Sequence, residues 1–380
     1  MKVAVLGFGT VGKGVYDMLR TCPQFEAGPV FVRPGKADEA FKIDSLDAIL
    51  ADKSVEAVAE VMGGVEPAFF YCAEALKAGK HVVTSNKALV AAKGIELNRL
   101  AVENGVGFLF SAACGGAVPF LHNLELARQS DEIISLGGIL NGTTNFMLDK
   151  MQSEGMDYDD VLKEAQALGY AEADPTADVT GLDALRKIML GCAVAYDMLP
   201  VEGLLNEGID SLKAADVEHF QSKGFTCRLL AKGGLVGGKL FAYVQPVLVK
   251  SDAPECAVKK NFNMAKYLGK NSGQIVLMGQ GAGRYPTASA VLRDLECLCF
   301  GQRIMMHSEC REVCADNSGS ICSYYVRLPK AFAAGLELES CEEEGDTVRG
   351  VTKPVSVQAM HDSVRAMRRG GADVFFAELG

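Results

Sequence analysis

The segment GYAEADPTADVTGLDALRK, from Gly169 to Lys187, holds four carboxylates and closes on one lysine. Carboxylates hold ammonium groups through charge-assisted hydrogen bonds, and a lysine beside an acid gives and takes a proton. Glu172, Asp174 and Asp178 fall in a loop punctuated by Pro175 and Gly181. A helix then opens, with Asp183 and Lys187 four residues apart on one face. Leu190 and Val194 continue that stripe, and IMLGCAVAY is apolar almost all round, as in a buried helix. Buried charges are costly unless paired or used, so the two point into an interior cleft and mark a candidate active site. The competing reading is an ordinary surface i,i+4 ion pair.

The elements before this segment supply a second kind of site. KVAVL (2–6) reads as a buried strand, followed by Gly7, Phe8, Gly9, Thr10, Val11 and Gly12 and a helix from Thr10 to Cys22. Strand, GxGxxG turn and helix in that order bind a dinucleotide, with the pyrophosphate at the helix N-terminus. A second strand, about 29–32, ends in Arg33, Pro34, Gly35 and Lys36, where an acid would hold a ribose 2′-hydroxyl. Two cations there favour a 2′-phosphate and hence NADP(H) over NAD(H), unless they belong to a solvated loop. Further strands run into Gly63 and Gly64, and into Thr84, Ser85, Asn86 and Lys87. Ligands of open parallel sheets bind at the carboxyl ends of strands, so Lys87 falls on the ligand edge. A lysine that merely starts a helix is the alternative, and it sits at the unfavourable end of the dipole. After FLFSAACGGAVP (108–119) helices and strands alternate, and a second glycine-rich turn containing Gly281 feeds a long helix. From about Cys310 a more charged, separate α+β unit of strands and one helix is expected.

Composition narrows the partners. The chain has 380 residues, enough for two or three domains, with 49% hydrophobic and 23% charged residues. A net charge of −10 with no block of Lys or Arg argues against nucleic acid and anionic membrane as partners. Twelve scattered cysteines without a CxxC pair, and five dispersed histidines, carry no local transition-metal signature. They read as reduced thiols of a soluble, cytoplasmic protein, with no apolar run long enough to span a bilayer. A structural strand at residues 2–6 leaves no place for a signal peptide.

Taken in order, GFGTVG, EVMGG, GKHVVTSNKAL, GILNGTTNFML, GYAEADPTADVTGLDALRK and GAGRYPTASAV resemble homoserine dehydrogenase over roughly residues 1–307. The resemblance implies interconversion of L-homoserine and L-aspartate 4-semialdehyde with NAD(P), on the branch to threonine and methionine. The resemblance is to the monofunctional form, without the N-terminal aspartate kinase domain of bifunctional relatives. It further implies an α/β Rossmann-type dinucleotide-binding domain (1–130, completed by the helix in 285–307). An α+β substrate and dimerisation domain (131–307) follows, then a small ACT-like unit (308–380) shortened at its first helix. By position, Lys187 is the proton donor and acceptor, Glu172, Asp178 and Asp183 hold substrate, and Lys87 lies between nicotinamide and substrate. The cofactor set is Gly7, Phe8, Gly9, Thr10, Val11, Gly12, Arg33, Gly63, Lys87 and Gly281. The family also holds a monovalent cation such as sodium on backbone carbonyls, here matching Ser111, Cys114, Gly116 and Val118. Ser111 stands where the family has glutamate. Relatives dimerise through the substrate domain, which implies a homodimer or a dimer of dimers here. Two rival readings remain open at this point: another amino-acid or semialdehyde dehydrogenase, and a non-catalytic NADP(H) sensor.

Overall fold

The computed structural model describes residues 1–380. Apolar strands buried on both faces build a six-stranded parallel sheet first. Its order is Lys42–Ile43, Glu26–Phe31, Lys2–Leu6, Val55–Glu60, His81–Thr84 and Phe108–Leu109. Val3, Ala4, Val5 and Leu6 are wholly buried. The chain leaves Lys2–Leu6 in one direction and returns on its other side with Val55–Glu60, which opens a crevice at the strands' carboxyl ends. Gly7, at φ +102°, makes the tight turn, and helix Thr10–Thr21 follows. Gly12 admits no side chain, because a Cβ there would lie 2.1 Å from the Gly7 carbonyl oxygen. Helix Arg284–Cys299, far away in sequence, packs on Thr10–Thr21. Its end is tied to the sheet by Phe108 N–H donating to the Arg303 carbonyl at 2.7 Å.

The second sheet runs Gly273–Gln280, Phe262–Gly269, Ile133–Ile139, Phe225–Val236, Lys239–Lys250, Phe375–Leu379, Tyr324–Pro329, Thr347–Thr352 and Leu338–Glu344. Helix Leu182–Tyr196 lies across Ile133–Ile139, Phe225–Val236 and Lys239–Lys250. Twelve of its 15 residues are buried, Asp183 and Lys187 among them, which rules out the surface ion pair.

The C-terminal residues are not set apart as the sequence reading expects. Phe375–Leu379 pairs in parallel with Lys239–Lys250, so the last strands extend the substrate sheet. The physical reason is an open edge: without that strand, Lys239–Lys250 would leave ladder groups unpaired. In the C-terminal module, strands Ile321–Cys322 and Tyr324–Pro329 are separated by Ser323. Within the module the strands stand in the order fourth, first, third, second, and only a 3-10 turn, Lys330–Gly335, follows the first. It keeps a small core of its own around Tyr324, Val326, Met360, Val364 and Phe376.

Candidate active site

A cleft of about 690 Å³ lies between the two sheets, lined by Val11, Lys87, Asn141, Asp178, Asp183 and Lys187 among others. The i,i+4 spacing on one buried helix sets Asp183 Oδ2 2.8 Å from Lys187 Nζ. Asp183 Oδ1 lies 2.6 Å from Lys87 Nζ. Lys87 comes from the other domain, as the first residue of helix Lys87–Glu103 just past strand His81–Thr84. Asn86 caps that helix, its Oδ1 accepting from Leu89 N–H at 3.1 Å. One carboxylate thus bridges two lysines across the domain boundary. Lys187 also donates to the Leu140 carbonyl at 2.5 Å.

Burial alone would lower the Lys187 pKa, but the surrounding groups, Asp183 first with Cys114 and Asp178, together outweigh it and hold the ammonium above its ordinary value. Burial likewise works to raise Asp183, and the two lysines override it, so this acid stays ionised. Asp178 is half-buried, and desolvation raises its pKa even though Asn141 donates to it at 2.7 Å. Glu172 is exposed at the cleft mouth, with only its backbone carbonyl engaged, by Gln166. Asp174 is committed to its own turn, accepting from Thr176 N–H at 3.1 Å.

A second cleft of about 740 Å³ opens at the carboxyl ends of the parallel strands, lined by Gly7, Phe8, Gly9, Arg33, Lys36 and Gly63. Nothing lies within 4 Å of a Cβ built on Gly9 or Gly63, so a ligand backbone has room there. Gly9 is the helix N-cap and makes no side-chain capping bond, which leaves the first-turn N–H groups for an anion. Thr10 opens the helix beside this cleft, Gly12 lies buried beneath it, and Val11 faces the first cleft. Lys42 is neutralised by Asp38 and Glu39, both at 2.7 Å, whereas Arg33 and Lys36 enter no ion pair. Strand Glu26–Phe31 ends one residue earlier than the sequence reading places it. Gly281 lines the substrate cleft, not the nucleotide cleft, and packs against Gly116 and the Asn263 carboxamide.

In the segment after Phe110, the Ser111 carbonyl accepts from Cys114 N–H and the Val118 carbonyl from Phe120 N–H. The Cys114 and Gly116 carbonyls accept no hydrogen bond. Ser111 Oγ–H donates to Asp294, a fully buried carboxyl that burial raises to about 6. The Cys114 thiol, pushed up to about 12 by burial, lies under the Lys187 carbonyl.

Sequence reasoning passed over Asn141, Asn263, Leu140 and Glu60. Glu60 is buried at the end of its strand and accepts from Thr84 Oγ1 at 2.5 Å and Met62 N–H at 2.7 Å, which shapes the turn into Gly63. An acid closing the apolar run VEAVAE was its signal. Asn141 had one too: Asn-Gly between a strand and a helix reads as an N-cap. Leu140 contributes only a carbonyl and left no mark.

A doubly wound dinucleotide sheet whose crevice meets a buried lysine–acid cluster defines a nicotinamide-nucleotide oxidoreductase. The homoserine dehydrogenase NAD-binding domain model matches residues 7–111, and the homoserine dehydrogenase model matches residues 119–295. The homoserine dehydrogenase of Bacillus subtilis (strain 168) is 37% identical over 320 residues, 80% of this chain and 74% of that protein. That of Corynebacterium glutamicum is 41% identical over 314 residues, 77% of this chain and 70% of the relative. The crystal structure of a homoserine dehydrogenase from Thiobacillus denitrificans superposes with a TM-score of 0.88 at 28% identity, covering 100% of this chain and 98% of that one. A hyperthermophilic archaeal homoserine dehydrogenase in complex with NADPH gives 0.67 at 27% identity, over 79% of this chain and 97% of its own. The chain belongs to the homoserine dehydrogenase family, an NAD(P)-dependent oxidoreductase family.

Proposed function

We propose that this chain interconverts L-homoserine and L-aspartate 4-semialdehyde with NADP(H), with Lys187 moving the proton at the substrate oxygen. The observation that carries this reading is Asp183, which binds Lys187 and Lys87 at once where the two domains meet. Bound in the nucleotide cleft, a nicotinamide supplies hydride to the aldehyde carbon or takes it from the alcohol. In reduction the oxygen gains charge, and Lys187, an ammonium at neutral pH, protonates it. In oxidation a neutral Lys187 takes that proton. Asp183 holds the lysine in place and balances its charge. Lys87 lies on the nucleotide side of Asp183 and polarises the oxygen or binds the substrate carboxylate, aided by the positive end of helix Gly142–Glu154. Glu172 and Asp178 take the α-ammonium.

The cofactor turn is Gly7, Phe8, Gly9, Thr10, Val11 and Gly12 with Gly63, and Gly281 flanks the reacting end. Arg33 and Lys36, two cations without partners on the pocket wall, support a preference for NADP(H) over NAD(H). For a monovalent cation such as sodium the donor set fits: the Cys114 and Gly116 carbonyls are unpartnered hard oxygens, with Ser111 and Val118 completing the set. Exposed Leu268, Val276 and Met278 near the free edge of the substrate sheet support a homodimer through that sheet, alone or paired into a dimer of dimers. Twelve cysteines, all unpaired, support a reducing, cytoplasmic location. The C-terminal strand order supports a shortened ACT-like module. Initial-rate oxidation of L-homoserine with NADP and NAD side by side tests the reading. Turnover with a lower KM for NADP supports it, and no turnover with either, despite measured cofactor binding, rejects it.

A further inference from the structure

Asn141 is 4% exposed and sits between strand Ile133–Ile139 and helix Gly142–Glu154. Its carboxamide is fully used. Oδ1 accepts from Thr144 N–H at 2.9 Å, which caps the helix. Nδ2 has two protons: one goes to Asp178 Oδ1 at 2.7 Å, the other to Asp183 Oδ2 at 2.9 Å. The cap fixes which way the amide faces, because a backbone N–H requires the oxygen on that side. The nitrogen is therefore turned toward the two acids. Without those two N–H groups, two carboxylates converge in a poorly solvated cleft and repel, and the half-buried one takes up a proton. Asp183 carries three donors in all, Lys187, Lys87 and Asn141. Only Asn141 joins this acid to the second one, Asp178.

We infer that Asn141 is a positioning residue for the reaction: it holds Asp178 and Asp183 at a set separation and thereby fixes where Lys187 presents its proton. This rests on the reading that the cleft turns over homoserine, and it extends that reading to a residue which touches neither hydride nor proton. The same side chain that starts a helix sets the acid pair, so helix placement and acid geometry are built by one amide. Loss of the cap and loss of the donors are separable by substitution. Serine and aspartate both cap helices well, yet neither offers two N–H groups.

The test uses the full chain with Asn141→Ser and Asn141→Asp beside the wild type. Thermal midpoint, NADPH affinity, kcat and KM for homoserine, and the pH profile of kcat are measured. The Asp178 carboxyl is also titrated by 13C NMR, which needs no turnover. The inference expects N141S to keep the wild-type thermal midpoint and NADPH affinity while kcat falls on the order of tenfold to a hundredfold. The Asp178 midpoint and the acid limb of the profile move to higher pH. N141D, which adds a third carboxylate, falls further. If N141S stays within about twofold of wild-type kcat with the Asp178 midpoint unmoved, the inference is overturned. It is overturned equally if N141D matches the wild type, for then the cap alone matters. A wild type that binds NADPH but leaves homoserine untouched sinks the homoserine reading instead, and the Asp178 midpoint in N141S then decides the role of Asn141 alone.

Discussion

The two clefts of this molecule are built by opposite means. The nucleotide cleft takes most of its features from short contiguous runs: GFGTVG makes the turn and the helix start, and Arg33 and Lys36 follow one strand end. At its rim Lys42 is paired with Asp38 and Glu39, while Arg33 and Lys36 enter no ion pair. The substrate cleft takes single residues from distant elements, Lys87, Asn141, Asp178, Asp183 and Lys187, and ties them to one another with almost no solvent access at its base. A site that binds a large anion gains from charges left open for it. A site that moves a proton gains from charges already compensated, because the geometry is set before the substrate arrives. The difference separates binding from chemistry.

The largest effect should come from the base of the substrate cleft. Lys187→Ala is expected to lower turnover by roughly a hundredfold to ten-thousandfold, with NADPH affinity unchanged in a fluorescence titration. Near-wild-type turnover would break the contrast between the clefts. Asp183→Asn should cost a similar factor, and it also reverses the electrostatics around Lys187. In the wild type the raised lysine keeps its proton, so homoserine oxidation rises with pH through neutrality toward the ordinary lysine range and beyond. Aldehyde reduction holds level there and falls only when the ammonium is lost. With Asp183 neutral, burial loses its main opponent and the lysine pKa falls, so the rise in oxidation shifts to lower pH. Paired pH–rate profiles would show the shift, and an unchanged profile would detach Asp183 from the proton step.

A middle-sized and selective effect belongs to the nucleotide cleft. Changing Arg33 and Lys36 together to alanine should raise KM for NADP by about tenfold to a hundredfold while leaving NAD unaffected. An equal change for both cofactors would mean the two cations do not read the 2′-phosphate. The smallest effect is expected at Asp174, in the same acidic run as the catalytic groups but exposed and bonded only to its own turn. Asp174→Asn should change kcat/KM by less than about twofold, and a large loss would mean that this carboxylate at the cleft rim holds substrate.

Legibility in the sequence follows this division. The dinucleotide turn was readable because its glycines act within one strand–turn–helix unit. The active helix was readable because Asp183 and Lys187 share a face four residues apart on an otherwise apolar helix. The C-terminal module was misread as separate, since nothing in AELG announces that its strand docks on Lys239–Lys250. Asn141 looked like an ordinary turn residue, because its cap is local and its two acids are not. Gly281 was read with the nucleotide from its glycine-rich turn, and its packing against Asn263 in the substrate cleft was not legible.

Residue type and short-range spacing alone determined that this protein has a dinucleotide-binding half and a lysine–acid helix, for both are set by backbone geometry over a few residues. Only the tertiary structure decided that Lys87 and Lys187 share one carboxylate, that Asn141 joins Asp178 to Asp183, and that the last strand completes the substrate sheet. Those are contacts between elements far apart in the chain. Their partners are selected by packing and by the need to satisfy buried polar groups, which no local pattern encodes.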